Sequence, residues 1–194
     1  MKKLLFINSC IRGKDISRTY DLCRTFLDKA QENEKDLITQ TVDVTDKRIK
    51  PLYAEDIEKR DSLLASAQYD NDYFALANQF AAADFIVVGA PYWDLSFPSL
   101  LKVYIENIMV SGITFACTQT GFKGLCHAEK LIYISTAGGM VQGEHQGYTY
   151  IKNIAGMLGI PETYLFTAQC LDIEGFDADK QICKARTEIE NFRL

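Results

Sequence analysis

No apolar run in this chain approaches the roughly 20 residues that a membrane helix needs, so no spanning segment is expected. Histidine is scarce, with only His127 and His145, and the six cysteines contain no C-x-x-C pair. No metal site is expected from such a set. Four prolines and twelve glycines, spread along the chain, leave no linker or low-complexity stretch to divide it. The sequence G-x-x-x-x-G-K-[ST] is also missing, which excludes a Walker phosphate loop. Basic residues are in deficit, 21 Lys and Arg against 26 Asp and Glu for a formal charge of −5, and they are scattered. A nucleic-acid surface is therefore not expected. The opening Met1-Lys2-Lys3 leads into Leu4 to Ile7, too short for the apolar region of a signal peptide and without a small-residue cleavage site. The reading is a cytoplasmic protein with reduced, mostly buried thiols.

What the chain does have is apolar residues, 47% over 194 positions, enough for one well-packed domain spanning residues 1–194. Lys3 to Ser9 reads as a buried strand that ends in turn-forming Asn8 and Ser9. From Thr19 onward, Cys23, Phe26, Leu27 and Ala30 draw one stripe on a helix. Leu37 to Val44 alternates and reads as a strand near a sheet edge. Residues 46–72 are charged and weakly patterned, an excursion carrying a short helix. A helical stripe from Tyr73 to Ala81 leads to the strand Phe85 to Val88. Pro98 sits near the first turn of a helix whose Leu100, Leu101, Tyr104, Ile105 and Ile108 share a face. Lys130 to Ser135 and Thr163 to Ala168 are further strands. They alternate with helices around Ile151 to Leu158, which stops near Gly159, and Ile182 to Phe192. Five strands alternating with helices specify parallel βαβ units, an α/β fold with a doubly wound sheet.

Ligands of such sheets bind beyond the carboxyl ends of the strands, where the strand order reverses. The loop after the first strand, Asn8 to Thr19, brings Ser9, Ser17, Thr19, Arg12 and Arg18 to the start of a helix, where exposed N–H groups and the helix dipole favour a phosphate. Ser17 also suits a plain N-cap, and the two roles are compatible. The third-strand loop, Pro91 to Pro98, gathers the only Trp with a Tyr and a Phe, and it suits a flat ring held on apolar side chains and backbone N–H groups. Packing on its own core is the alternative for these aromatics. After the fourth strand, Thr136-Ala137-Gly138-Gly139 offers backbone that a ligand edge can approach.

The segments Ser9 to Thr19, Pro91 to Ile108 (PYWDLSFPSLLKVYIENI), Ser111 to Phe115 (SGITF), Gly121 to Leu125 (GFKGL) and Ser135 to Gly139 (STAGG) resemble, in order and spacing, the FMN-dependent NADH azoreductases and NAD(P)H quinone reductases. The resemblance implies that Ser9, Ser17, Arg18 and Thr19 hold the FMN phosphate. It implies that Pro91, Tyr92, Trp93, Asp94 and Leu95 contact the ring and ribityl chain, and that Thr136, Ala137, Gly138 and Gly139 border the pyrimidine end. It further implies a flavodoxin-like three-layer sandwich around a five-stranded parallel sheet in the order 2-1-3-4-5, and a homodimer whose subunits complete each other's active sites. Three positions depart from the family pattern. Asp94 stands where Asn is usual, replacing a donor by a carboxylate beside the ring. Cys117 lies where an aromatic residue is often found, and Ala137 replaces a frequent Arg.

On this reading NADH or NADPH reduces FMN and a small aromatic acceptor, a quinone or azo compound, reoxidises it in a ping-pong cycle. The cofactor performs the chemistry and the protein places it. His145 is the candidate catalytic residue, as a proton or hydrogen-bond donor to the acceptor, because an imidazole titrates near neutrality. A solvated loop histidine is the plainer reading. Phe115, Cys117 and Tyr148 are candidate acceptor-pocket residues, with core packing as the alternative for Phe115 and Tyr148. A cysteine phosphatase built on Cys10 fails because Ile16 occupies the position that needs Arg and no Asp-Pro pair is present. A receiver domain fails because the first strand ends in Asn8-Ser9 instead of an acidic pair. The remaining rival is a flavodoxin-like carrier or FMN-binding redox sensor that does not turn over NAD(P)H.

Overall fold

Apolar runs without alternation belong in strands covered on both faces, and a computed structural model describing residues 1–194 places them so. The central sheet is formed by β1 (Lys3–Asn8), β2 (Ile38–Asp43), β3 (Phe85–Gly89), β6 (Lys130–Thr136) and β7 (Glu162–Ala168). All four pairings are parallel and the order is β2-β1-β3-β6-β7. Counted over the parallel strands alone, this is the expected 2-1-3-4-5. The strand at residues 38–43 is indeed an edge, and four of its six side chains are exposed.

One layer consists of α1 (Arg18–Asn33) and α6 (Ala178–Asn191), which set Leu22, Phe26 and Ile189 against Leu4, Phe6, Val87 and Ile132. The opposite layer holds α3 (Ala75–Ala81), α4 (Ser99–Ile108) and α5 (Gln146–Met157), with Phe80, Leu101, Tyr104 and Ile151 against Ile7, Val88 and Tyr133. Alternate side chains of each strand feed the two cores, as the two-residue period of a strand requires.

Two features differ from the sequence-based expectation. An antiparallel hairpin, β4 (Phe115–Thr118) and β5 (Gly121–Gly124), stands apart from the sheet. It is tied beyond the N-terminal strand ends, where Cys126 N–H donates to Leu158 O and His127 N–H to Ala81 O. The excursion at 46–72 carries its expected helix, α2 (Ala54–Ala65), twelve residues long with none buried. The helix foreseen from Tyr73 opens instead as a 3₁₀ turn (Asp72–Phe74), because Asn71 caps Tyr73 N–H at 3.0 Å. The six thiols are free, and the expected burial holds for Cys10, Cys23 and Cys170 but not for the exposed Cys117 and Cys183. No helix is long and apolar enough to cross a membrane.

Candidate active site

The strand order reverses between β1 and β3, and there the loops after β1, β3, β6 and β7 meet. Together they line a cleft of about 60 Å³ that includes Arg12, Ser17, Thr19, Tyr92, Trp93, Thr136, Gly138 and Asp172. A larger cavity of about 540 Å³ lies elsewhere, beside edge strand β2 and against α2 and α3. Of the motif segments only Asn107, near the end of α4, reaches it, and none of the expected cofactor-binding residues does.

Helix α1 begins where it does because Ser17 adopts extended backbone angles and its hydroxyl accepts from Tyr20 N–H at 3.2 Å. The preceding N–H groups of the first turn have no partner within the helix, which makes this end an anion cradle. Thr19, fully buried on that turn, shares a 2.6 Å hydrogen bond with Thr136 at the end of β6. Arg18 is occupied: it donates to Leu171 O at 3.0 Å and to Asp172 Oδ1 at 2.6 Å. Arg12 faces the cleft and belongs to no ion pair. Ser9 is wholly buried at the tip of β1, and its hydroxyl has no partner in the protein.

The aromatic loop is anchored by Tyr92 N–H, which donates to Thr136 O at 2.9 Å. It then reverses in two residues. Trp93 and Ser96 exchange backbone hydrogen bonds of 3.2 and 2.7 Å around Asp94 (φ 49°) and Leu95 (φ 62°). Two central residues with positive φ define a type I′ turn, which normally demands Gly or Asn. Neither the Asp94 nor the Leu95 N–H donates to an acceptor in the chain. A strained turn that presents two free donors beside aromatic rings suits the edge of a flat heterocycle. Opposite it, a Cβ added to Gly139 would meet nothing, while Gly138 and Gly139 accept from Asp172 N–H and Cys170 N–H.

His145 corrects the expectation of a solvated loop side chain. It is only 7% exposed and serves as the N-cap of α5, its Nδ1 accepting from Tyr148 N–H at 3.1 Å. The imidazole packs 4.4 Å from the Tyr92 ring and 5.7 Å from Tyr133, centroid to centroid. Burial holds its pKa below the ordinary value of 6.5. It is therefore a neutral tautomer whose one donor, Nε2–H, is buried without a partner.

The proposed acceptor-pocket residues do not line this cleft. Phe115 and Cys117 lie on the hairpin at the far end of the sheet, where Phe115 packs edge-on to Phe122. Tyr148 is half-buried against the core, stacked on Tyr133 with its hydroxyl bonded to Thr163. Sequence reasoning also passed over Cys10, Leu171 and Asp172, which line the cleft. The loop after β7 carries no motif, and only tertiary structure brings it to Arg18.

A profile described as the flavodoxin-like fold matches residues 2–192. The chain is 33% identical to the FMN-dependent NADH:quinone oxidoreductase 2 of Clostridium acetobutylicum, over 99% of this chain and 100% of that one. It is 34% identical to the FMN-dependent NADH:quinone oxidoreductase of Caldicellulosiruptor saccharolyticus, with 98% and 97% covered. Among solved structures it is similar to an FMN-dependent NADH-azoreductase of Bacillus anthracis in complex with FMN. That similarity has a TM-score of 0.85 at 22% identity and covers 98% of this chain and 96% of the other.

Proposed function

Because this chain belongs to the flavodoxin-like family that includes the FMN-dependent NADH:quinone oxidoreductases, we propose that it is an FMN-dependent oxidoreductase that carries electrons from NADH to a quinone or azo acceptor. The observation that carries the reading is the convergence of four strand-end loops on one cleft, three of them cross-linked by Thr19 to Thr136 and by Tyr92 to Thr136. The residues fit the cofactor. Arg12, Arg18, the N-terminus of α1 and the Ser17 and Thr19 hydroxyls receive the phosphate, with the buried Ser9 hydroxyl beside them. Tyr92, Trp93 and the free N–H groups of Asp94 and Leu95 receive the ring, and Pro91, Thr136, Ala137, Gly138 and Gly139 border it. Bound FMN supplies the redox chemistry, accepting two electrons as hydride and passing them to the acceptor in a second half-reaction.

The protein contributes placement. The type I′ turn holds both donors fixed without reorganisation. Asp94 sets a carboxylate where it opposes negative charge on the ring. Any proton donation by His145 is confined to Nε2–H, since Nδ1 is committed to the helix cap. NADPH is the alternative hydride donor. A carrier that does not turn over NADH is not favoured, given relatives named as NADH:quinone oxidoreductases.

The functional unit in this proposal is a homodimer. The cleft within one subunit is small, about 60 Å³, and in this reading a second subunit walls the ring. Leu95 at 72% exposure and Phe122 at 64% are apolar surface available for that contact. The partner's hairpin is the proposed source of the acceptor-pocket Phe115 and Cys117. The test is anaerobic. FMN added to the protein should acquire a bound spectrum that NADH bleaches and a quinone restores. A protein that binds FMN but is not bleached by NADH or NADPH is a carrier, and one that binds no FMN ends the proposal.

A further inference from the structure

The Asp172 carboxylate occupies the cation that an incoming phosphate would seek. Its Oδ1 lies 2.6 Å from Arg18 Nη2, while Arg18 Nη1 donates to Leu171 O at 3.0 Å. Both arms of the guanidinium are thus held by the loop after β7. The carboxylate is also pressed on the glycine loop, since a Cβ at Gly138 would come within 2.3 Å of Asp172 Oδ2. Arg18, Asp172 and Gly138 all line the cleft. The pair is partly open to water, with side-chain exposures of 38% and 63%. Such an ion pair is weak and readily exchanged for a better anion.

We propose that Asp172 is a resident counter-anion of Arg18 that the cofactor phosphate must displace, so that it sets the affinity for FMN relative to unphosphorylated flavin. The inference rests on the FMN reading above. A phosphate outcompetes a single carboxylate because it carries more charge, accepts two parallel bonds from the guanidinium and gains the N–H groups at the start of α1. Displacement still leaves Asp172 as a like charge beside the phosphate, which works against binding. Riboflavin lacks the anion and is indifferent to this competition. If Asp172 were only a strut between α1 and the β7–α6 loop, its loss would loosen the site and weaken both flavins.

The experiment titrates cofactor-free protein with FMN and, separately, riboflavin, following flavin fluorescence, for the wild type, Asp172→Asn and Asp172→Ser. Both variants should bind FMN about tenfold more tightly, with riboflavin changed by less than about twofold. Inorganic phosphate should compete with FMN at lower concentration in the variants. Adding Arg18→Gln to Asp172→Asn should abolish the gain. Circular dichroism checks that each variant is folded. FMN affinity unchanged or reduced in folded Asp172→Asn and Asp172→Ser overturns the inference and leaves the FMN reading intact. A wild type that binds neither flavin overturns both.

Discussion

Thr19 Oγ1 and Thr136 Oγ1, 117 residues apart in sequence, lie 2.6 Å from each other and join the first turn of α1 to the tip of β6. Both side chains are buried, at 1% and 8% exposure. Replacing either by the isosteric Val strands the other hydroxyl without a partner, at a cost of about 1–3 kcal/mol. The double replacement Thr19→Val/Thr136→Val leaves no orphan and should cost less than the sum of the singles. Urea denaturation of the four proteins measures the coupling, and strict additivity would show that the bond joins nothing. FMN affinity should fall in the singles, because the two loops they tie together form the phosphate end of the cleft.

The turn at Asp94 and Leu95 makes a different prediction, in which stability and binding move in opposite directions. Leu95 has φ 62° and is 72% exposed, so it pays for a left-handed backbone and buries little. Leu95→Gly removes a conformational cost of about 1–2 kcal/mol and adds about 0.5–1 kcal/mol of unfolded-state entropy. The net is a small stabilisation, visible as a raised Tm. FMN should bind more weakly, since a freer turn must be ordered when the cofactor arrives. A variant that loses both stability and affinity would mean that the turn is not strained.

How much of this was legible before the structure depended on whether neighbours in sequence carried the information. Phe85 to Val88 and Leu131 to Ile134 are covered by helices on both faces, so their burial is written as continuous apolar runs. Ser17, Tyr92, Trp93 and Gly138 meet in the strand-end cleft, and each lies in a loop that holds its own signature. The hairpin was missed because four-residue strands, half exposed and punctuated by Gly121 and Gly124, show no alternation. His145 was misjudged because histidine is not among the usual N-cap residues. Nothing local to Asp172 indicates Arg18, which lies 154 residues earlier.

Gly124 tests the attachment of that hairpin. A Cβ there would fall 2.1 Å from both Gly159 N and Leu158 C, backbone atoms that cannot swing aside. Gly124→Ala should therefore cost at least about 1–3 kcal/mol, the range for overpacked sites. Within a single subunit the strand-tip cleft is at the far end of the sheet and would survive. If the hairpin completes the partner's site, quinone turnover should fall more than FMN affinity, and light scattering should report a shift from dimer towards monomer. Wild-type mass, stability and kinetics in Gly124→Ala would remove the hairpin from both roles.

The acid limb of stability should report on His145. Its pKa is lowered in the folded protein, chiefly by burial, below the ordinary 6.5 that applies once the chain unfolds. Between those two values the unfolded chain binds a proton that the native chain refuses, so stability must fall as pH drops. The contribution is complete above 6.5 and is lost progressively as pH falls towards the folded value. His145→Asn keeps a side chain able to cap Tyr148 N–H, since Asn ranks among the best N-caps, and carries no titrating group. Its urea midpoint should therefore depend less on pH than that of the wild type between pH 6.5 and the folded value. Equal slopes for the two proteins would mean that the imidazole accepts its proton while folded, which a buried Nδ1 already engaged by Tyr148 does not permit.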